Sequence, residues 1–150
     1  MLSSLFANPY NFSTFAAFSE LLVTTAVLTV IISNLRGHPL RWKLLWGTLT
    51  FELLVNISYM VSRTMVIAQY DPQPLANWIG VFGMVHGLLS LVMFVGLIVL
   101  ALLATRAFFR QGQAYFQQHP TLSYLFLTLW LISVGSGEVI YWVVWHLSAG

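Results

Sequence analysis

The sequence alternates long apolar stretches with short polar connections. The apolar stretches cover residues 16–35, 44–68, 78–105 and 124–147. Each contains at least the roughly 20 residues that a helix needs to cross the hydrocarbon core of a bilayer. The pattern therefore predicts an all-α integral membrane protein with a single domain over residues 1–150 and four transmembrane helices. Because the connections are short, an up-down four-helix bundle is the simplest architecture.

The composition indicates that lipid is the main solvent of this fold. Hydrophobic residues make up 59% of the chain and charged residues only 7%, whereas about a quarter of the residues in a soluble domain are charged. The absence of cysteine excludes disulfides, thiolate metal sites and covalently attached c-type haem. No nucleophile elbow, zinc-protease motif or phosphate-binding glycine loop occurs, and nothing resembles a nucleic-acid-binding motif. We therefore expect a non-enzymatic membrane protein.

The cationic residues predict the orientation of the helices. The first connection carries Arg36, Arg41 and Lys43, and the third carries Arg106 and Arg110. These two connections share one side of the membrane, and positively charged connections remain in the cytoplasm. Both chain termini are therefore expected on the outer side.

Polar residues form a stripe along the second predicted helix. Glu52, Asn56, Tyr59 and Arg63 are spaced at i, i+4, i+7 and i+11, which places them on one helical face. Such groups are costly in lipid and normally face the protein interior. The stripe motivates one functional hypothesis, a small proton- or ion-conducting module.

A second group of polar residues is predicted near the outer side. The rise of about 1.5 Å per residue puts His86 and Glu138 about 12 Å deep, where Glu20 and Arg63 can reach them. This set could bind a metal ion through His86, or haem or copper transiently through His86, Glu138 and Glu20. Alternatively, Arg63 pairs with a carboxylate and His86 only forms hydrogen bonds within the bundle. The sequence leaves both interpretations open.

Small residues predict where helices approach closely. The third helix contains Gly83 and Gly87 in the small-xxx-small pattern, and the fourth contains Ser136 and Gly137. Small side chains let two helix backbones come together in lipid. We expect close packing at both places.

The last third of the chain carries a more specific pattern. His119 is followed by Trp130, and then by Ser136, Gly137 and Tyr141. This resembles the motif of a loop histidine leading into a W-L-x-x-x-x-[ST]-G-x-x-x-Y helix. That motif is found in a family of small four-helix bacterial membrane proteins that includes the CtaM/YozB-type haem-copper oxidase maturation factors. Further matches lie in the second and third helices, so that the resemblance covers about two-thirds of the chain.

The resemblance implies a role in maturing or supporting haem-copper oxidases, with histidines as metal- or haem-related groups. It also implies a bacterial-type inner or energy-transducing membrane. Two of the family's histidine positions hold Arg41 and Arg63 here, and arginine does not serve as an ordinary metal ligand. Our leading hypothesis is a non-enzymatic accessory or assembly protein of a bioenergetic complex. It would contact the lipid bilayer and the membrane subunits of an electron-transfer complex.

Overall fold

The computed structural model describes residues 9–69, 77–112 and 114–143, with side chains described for residues 13–61, 81–112 and 114–143. Within these ranges the chain forms helices and no strand. The helices are α1 (Pro9–Leu35), α2 (Trp42–Gln69), α3 (Asn77–Gln111), α4 (Tyr115–Gln118) and α5 (Pro120–Trp142). The predicted all-α class is confirmed.

The four longer helices can each cross a membrane by length and apolar composition. The described residues that meet these criteria are Ser13–Leu35, Trp42–Val61, Val81–Gln111 and Pro120–Trp142. They correspond one to one with the four predicted stretches. The protein is therefore a multi-pass membrane protein, as the sequence predicted.

The helix ends differ from the prediction. α1 is helical from Pro9, the first residue described, and therefore begins before the predicted start at residue 16. α3 has 35 residues and is about 50 Å long, which exceeds the roughly 30 Å hydrocarbon core. It extends to Gln111 instead of ending near Thr105. His146 and the connection containing Asp71 lie outside the described residues, and so does the side chain of Arg63.

The long helices form a ring of antiparallel neighbours. α1 packs against α2 and α5, and α3 packs against the same two helices. The short helix α4 contacts α1, α3 and α5 at one end of the bundle. This arrangement is the predicted up-down four-helix bundle.

The best-packed part of the bundle lies near the end formed by residues 36–41 and 114–119, which we call the basic end. Ile31, Leu45, Leu97 and Phe116 are completely or almost completely buried there. The opposite end, where α1 begins and α5 ends, is called the distal end. Near the basic end, α2 and α3 are linked by a hydrogen bond, which Trp46 Nε1 donates to the hydroxyl of Thr105.

Asn34 ties together the two connections at the basic end. Its side chain is 0% exposed, and its Nδ2 donates to the carbonyl of His38 at 2.9 Å. The backbone N–H of Phe116 donates to Asn34 Oδ1 at 3.1 Å. One buried amide therefore satisfies backbone groups from both connections, which would otherwise be costly to bury.

α1 ends in a Schellman motif. The N–H of Gly37 donates to the Asn34 carbonyl, and that of His38 donates to the Ser33 carbonyl. Gly37 has φ of +82°, which only glycine adopts without strain. The glycine therefore turns the chain from α1 toward α2.

Hydroxyl groups on the outer faces of the helices are satisfied locally. Thr25, Thr29, Thr50 and Thr128 each donate to the carbonyl four residues earlier. Because hydrocarbon supplies no hydrogen-bond partner, such bonds allow polar residues to face lipid.

Candidate functional site

His86 lies at the centre of a hydrogen-bonded cluster between α3 and α5. Its Nδ1 is 2.8 Å from the hydroxyl of Ser136, and its Nε2 is 3.4 Å from that of Ser90. The Ser90 hydroxyl is 3.0 Å from that of Ser133. The Ser136 hydroxyl donates to the Ser133 carbonyl at 2.7 Å. We call these four residues the His86 cluster.

The bonds of the His86 cluster define the tautomer of a neutral imidazole. The single hydroxyl proton of Ser136 is used on the Ser133 carbonyl. His86 Nδ1 must therefore carry the proton that it shares with Ser136. A neutral ring then accepts at Nε2 from Ser90, which in turn accepts from Ser133. The cluster is a directed chain of donors and acceptors.

Gly137 provides the space that the imidazole occupies. A Cβ atom at this position would lie 2.8 Å from Cε1 of His86 and 3.2 Å from Nε2. Side chains essentially never approach a Cβ this closely, so a residue larger than glycine would displace the ring. This contact confirms the predicted close packing at the small residues of the fourth helix.

The second predicted close approach, at Gly83 and Gly87, stays a prediction, because the side chains of α2 beyond Val61 lie outside the described residues. Among the described residues, a Cβ at either position would meet no heavy atom within 4 Å. The spacing of these glycines permits a close helix contact, but α3 approaches α5 through the face carrying His86 and Ser90. Neither glycine takes part in the described contact between α3 and α5.

Three glutamates come from three different helices. Glu52 of α2 is 6% exposed and accepts a hydrogen bond from Asn56 Nδ2 at 2.9 Å. The carboxyl group of Glu20 on α1 is close enough to that of Glu52, and to that of Glu138 on α5, to interact with both electrostatically. The carboxyl group of the predicted stripe therefore lies near the two that were predicted on the outer side.

The histidines are not brought together in the described part of the chain. His38 and His119 lie at the basic end, whereas both ring nitrogens of His86 already face serine hydroxyls. No group of three or more His, Asp or Glu side chains there could hold a metal ion. The predicted transient site at His86, Glu138 and Glu20 stays a prediction.

Of the other residues of the family-like motif, Trp130 and Tyr141 connect α5 to α1, and His119 is the last residue of the third connection. Trp130 is 3% exposed and its Nε1 donates to Thr24 at 3.1 Å. The hydroxyl of Tyr141 is 2.9 Å from that of Thr14. His119 is exposed and its ring lies 4.7 Å from the ring of Tyr115. The motif therefore specifies helix packing on α5, while its histidine lies at the surface.

The inward face of α2 loses its cover toward the distal end. Leu45, Leu49 and Glu52 are buried on this face, whereas Asn56, one turn further, is exposed. On the neighbouring helix, a Cβ at Gly83 or Gly87 would meet no described residue within 4 Å. We call the surface between Asn56 on α2 and these two glycines on α3, as far as the described side chains define it, the α2–α3 opening.

Comparison with known proteins gives no match to a family model, a curated protein or a solved structure. The resemblance to the oxidase maturation factors therefore stays a prediction. Sequence reasoning also missed Asn34, whose only signal is one amide at the polar end of an apolar stretch.

Proposed function

We propose that this chain is a non-enzymatic accessory or assembly protein, which binds a transmembrane helix of a larger membrane complex at the α2–α3 opening. The observation that supports the proposal is the exposure of Asn56 within an apolar span. The amide donates one hydrogen bond to Glu52, and hydrocarbon offers no hydrogen-bond partner to its exposed polar atoms, so their exposure costs free energy in lipid. A partner helix would cover the amide and could bond to it.

The α3 side of the opening suits such a helix. Gly83 and Gly87 leave room for another backbone to approach closely, which is the main source of helix association in membranes. Met60 and Met84 are 70% and 74% exposed. Methionine side chains are flexible and adapt to an apolar partner surface.

The complex that we propose is a haem-copper oxidase in a bacterial-type inner or energy-transducing membrane. This part of the proposal is supported by the resemblance of the His119 to Tyr141 segment to the oxidase maturation factors. It is also consistent with a chain whose described residues belong almost entirely to helices.

Site-specific photo-crosslinking in native membranes tests the proposal. A photoreactive amino acid is placed at Met60, at Met84 or, as a control at similar depth, at Val139, which is 52% exposed on α5. Adducts are then identified by mass spectrometry. We expect one partner polypeptide at Met60 and Met84, and only lipid adducts at Val139.

Two results would contradict different parts of the proposal. If Met60 and Met84 gave no protein adduct, or the same adducts as Val139, helix binding at the opening would be wrong. If they captured a subunit of a complex other than an oxidase, helix binding would stand and the oxidase assignment would fail.

A second candidate function is a proton- or ion-conducting module. It is favoured by the electrostatic interaction of Glu20 with Glu52 and Glu138, beside the directed hydrogen bonds of the His86 cluster. Flux into proteoliposomes should then fall at least tenfold in Glu52→Gln. Flux equal to that of the unaltered protein would count against conduction along this path.

A further inference from the structure

A cavity at the basic end carries a concentration of hydrogen-bond donors. It lies between the end of α3 and the third connection and has a volume of about 270 Å³. Its polar lining comes mainly from Arg106, Arg110, Tyr115, Gln118 and His119. Arg106 and Arg110 are one helical turn apart, so both guanidinium groups extend from the same side of α3. The cavity therefore has the donor set of an anion-binding site.

These donors have no hydrogen-bonding or ionic partner among the described residues. Of the four acidic residues in the chain, the structure describes Glu20, Glu52 and Glu138. Glu52, the nearest of these three to the basic end, lies ten residues into α2, or about 15 Å along the helix axis. No described side-chain carboxylate is therefore placed to neutralise the two arginines.

The wall of the cavity is held in place by buried hydrogen bonds. Phe116 is 1% exposed, and its N–H donates to Asn34 while its carbonyl accepts from Ser123. The backbone of His119 is also engaged, since its carbonyl accepts from the backbone N–H of Ser123 at 3.0 Å. The backbone that carries Tyr115 and His119 is thus fixed before any ligand binds, which lowers the cost of binding.

The position of the cavity indicates the kind of anion. Arg110 lies in the last turn of α3, at the end of the apolar span that finishes at Gln111. Leu103 closes the cavity on the side facing the hydrocarbon. Phosphate groups of phospholipids lie at this boundary, beside the acyl chains that would contact Leu103.

We propose that this cavity binds the phosphate headgroup of an anionic phospholipid. Arg106 and Arg110 hold the phosphate oxygens through charge-assisted hydrogen bonds. Tyr115 and Gln118 contribute neutral donors, and His119 closes the outer rim. The acyl chains remain in the bilayer along the apolar side of α3.

Native mass spectrometry of the purified full chain in mild detergent tests the proposal. The probes are phosphatidylglycerol, phosphatidylcholine with the same acyl chains, and soluble glycerol phosphate. The test variant is Arg106→Gln/Arg110→Gln. The matched control is Arg41→Gln/Lys43→Gln, which removes two charges from the same end but does not alter this cavity.

We expect the unaltered protein to retain one phosphatidylglycerol. The test variant should bind this lipid at least tenfold more weakly, because one charge-assisted hydrogen bond changes the affinity by about one to two powers of ten. The control should change the affinity by less than about threefold. Tyr115→Phe, which keeps the ring and all charges, should weaken binding by roughly two- to fivefold.

Three outcomes would overturn the proposal. Equal weakening in the test and control variants would show general charge attraction without a site. Phosphatidylcholine binding as tightly as phosphatidylglycerol would show that the negative charge is not recognised. Glycerol phosphate binding as tightly as the lipid would identify a soluble anion as the ligand. Far-ultraviolet circular dichroism of each variant confirms that a lost affinity is not lost folding.

Discussion

Replacing Gly137 by alanine should separate the imidazole of His86 from α5. The new Cβ would lie 2.8 Å from Cε1, where ordinary contacts begin at 3.4 Å, so the ring must move by about 0.6 Å. This movement strains the 2.8 Å hydrogen bond between His86 and Ser136. Overpacking of this kind typically costs about 1 to 3 kcal/mol.

Gly135 is the matched control on the same helix, because a Cβ there meets nothing within 4 Å. Gly135→Ala therefore shows only the helix propensity gain of up to about 1 kcal/mol. Gly137→Ala has the same gain in helix propensity, but the contact between the new Cβ and His86 outweighs it. We expect the free energy of unfolding of Gly137→Ala to be about 1 to 3 kcal/mol below that of Gly135→Ala.

The assay is reversible unfolding in mild-detergent micelles on addition of a denaturing detergent, followed by tryptophan fluorescence. A double-mutant cycle assigns the cause, since His86→Ala removes the ring that clashes. In that background Gly137→Ala should be as harmless as Gly135→Ala. The reasoning would be refuted if the two alanine variants had equal free energies of unfolding. It would also be refuted if Gly137→Ala remained less stable than Gly135→Ala in the His86→Ala background.

Three further predictions concern helix packing and orientation. Asn34→Ala leaves the buried N–H of Phe116 and the part-buried carbonyl of His38 without the partner that Asn34 provides, and should lower the free energy of unfolding by about 2 to 4 kcal/mol. A loss below about 0.5 kcal/mol, which is close to the experimental error, would contradict its bridging role. Trp130→Phe and Thr24→Val should each cost about 1 kcal/mol and show a coupling in a double-mutant cycle, whereas simple additivity would exclude their hydrogen bond. Because the chain lacks cysteine, single cysteines introduced at Ser4 and at Gln117 report the orientation of the protein. A membrane-impermeant thiol reagent outside the cell should label the cysteine at position 4 and not the one at position 117. The reverse pattern would mean that the predicted topology is inverted.

Sequence reasoning placed the membrane helices well because that problem is nearly one-dimensional. A stretch of about 20 apolar residues must be helical in lipid, since no other arrangement of an isolated segment satisfies its backbone groups. The burial of Glu52 also agrees with its position on the predicted polar stripe, whereas Asn56 on the same stripe is exposed. Such periodicity depends only on 3.6 residues per turn.

The glycines show where such reasoning stops. Gly83, Gly87 and Gly137 all occur in patterns that permit close helix approach, yet among these three the described neighbouring atoms exclude a Cβ only at Gly137. The difference depends on which face of α3 meets α5, and that in turn depends on the rotation and separation of two helices. Neither quantity is encoded in a local spacing.

The sequence by itself determined the helices, the polar stripe on α2 and the separation of cationic connections from acidic residues, because these follow from the order of residues along a helix. Only the tertiary structure decided that His86 pairs with Ser136 of α5 and that Asn34 joins two connections. Each of these contacts joins side chains from segments distant in sequence, so its geometry is set by the packing of the whole bundle.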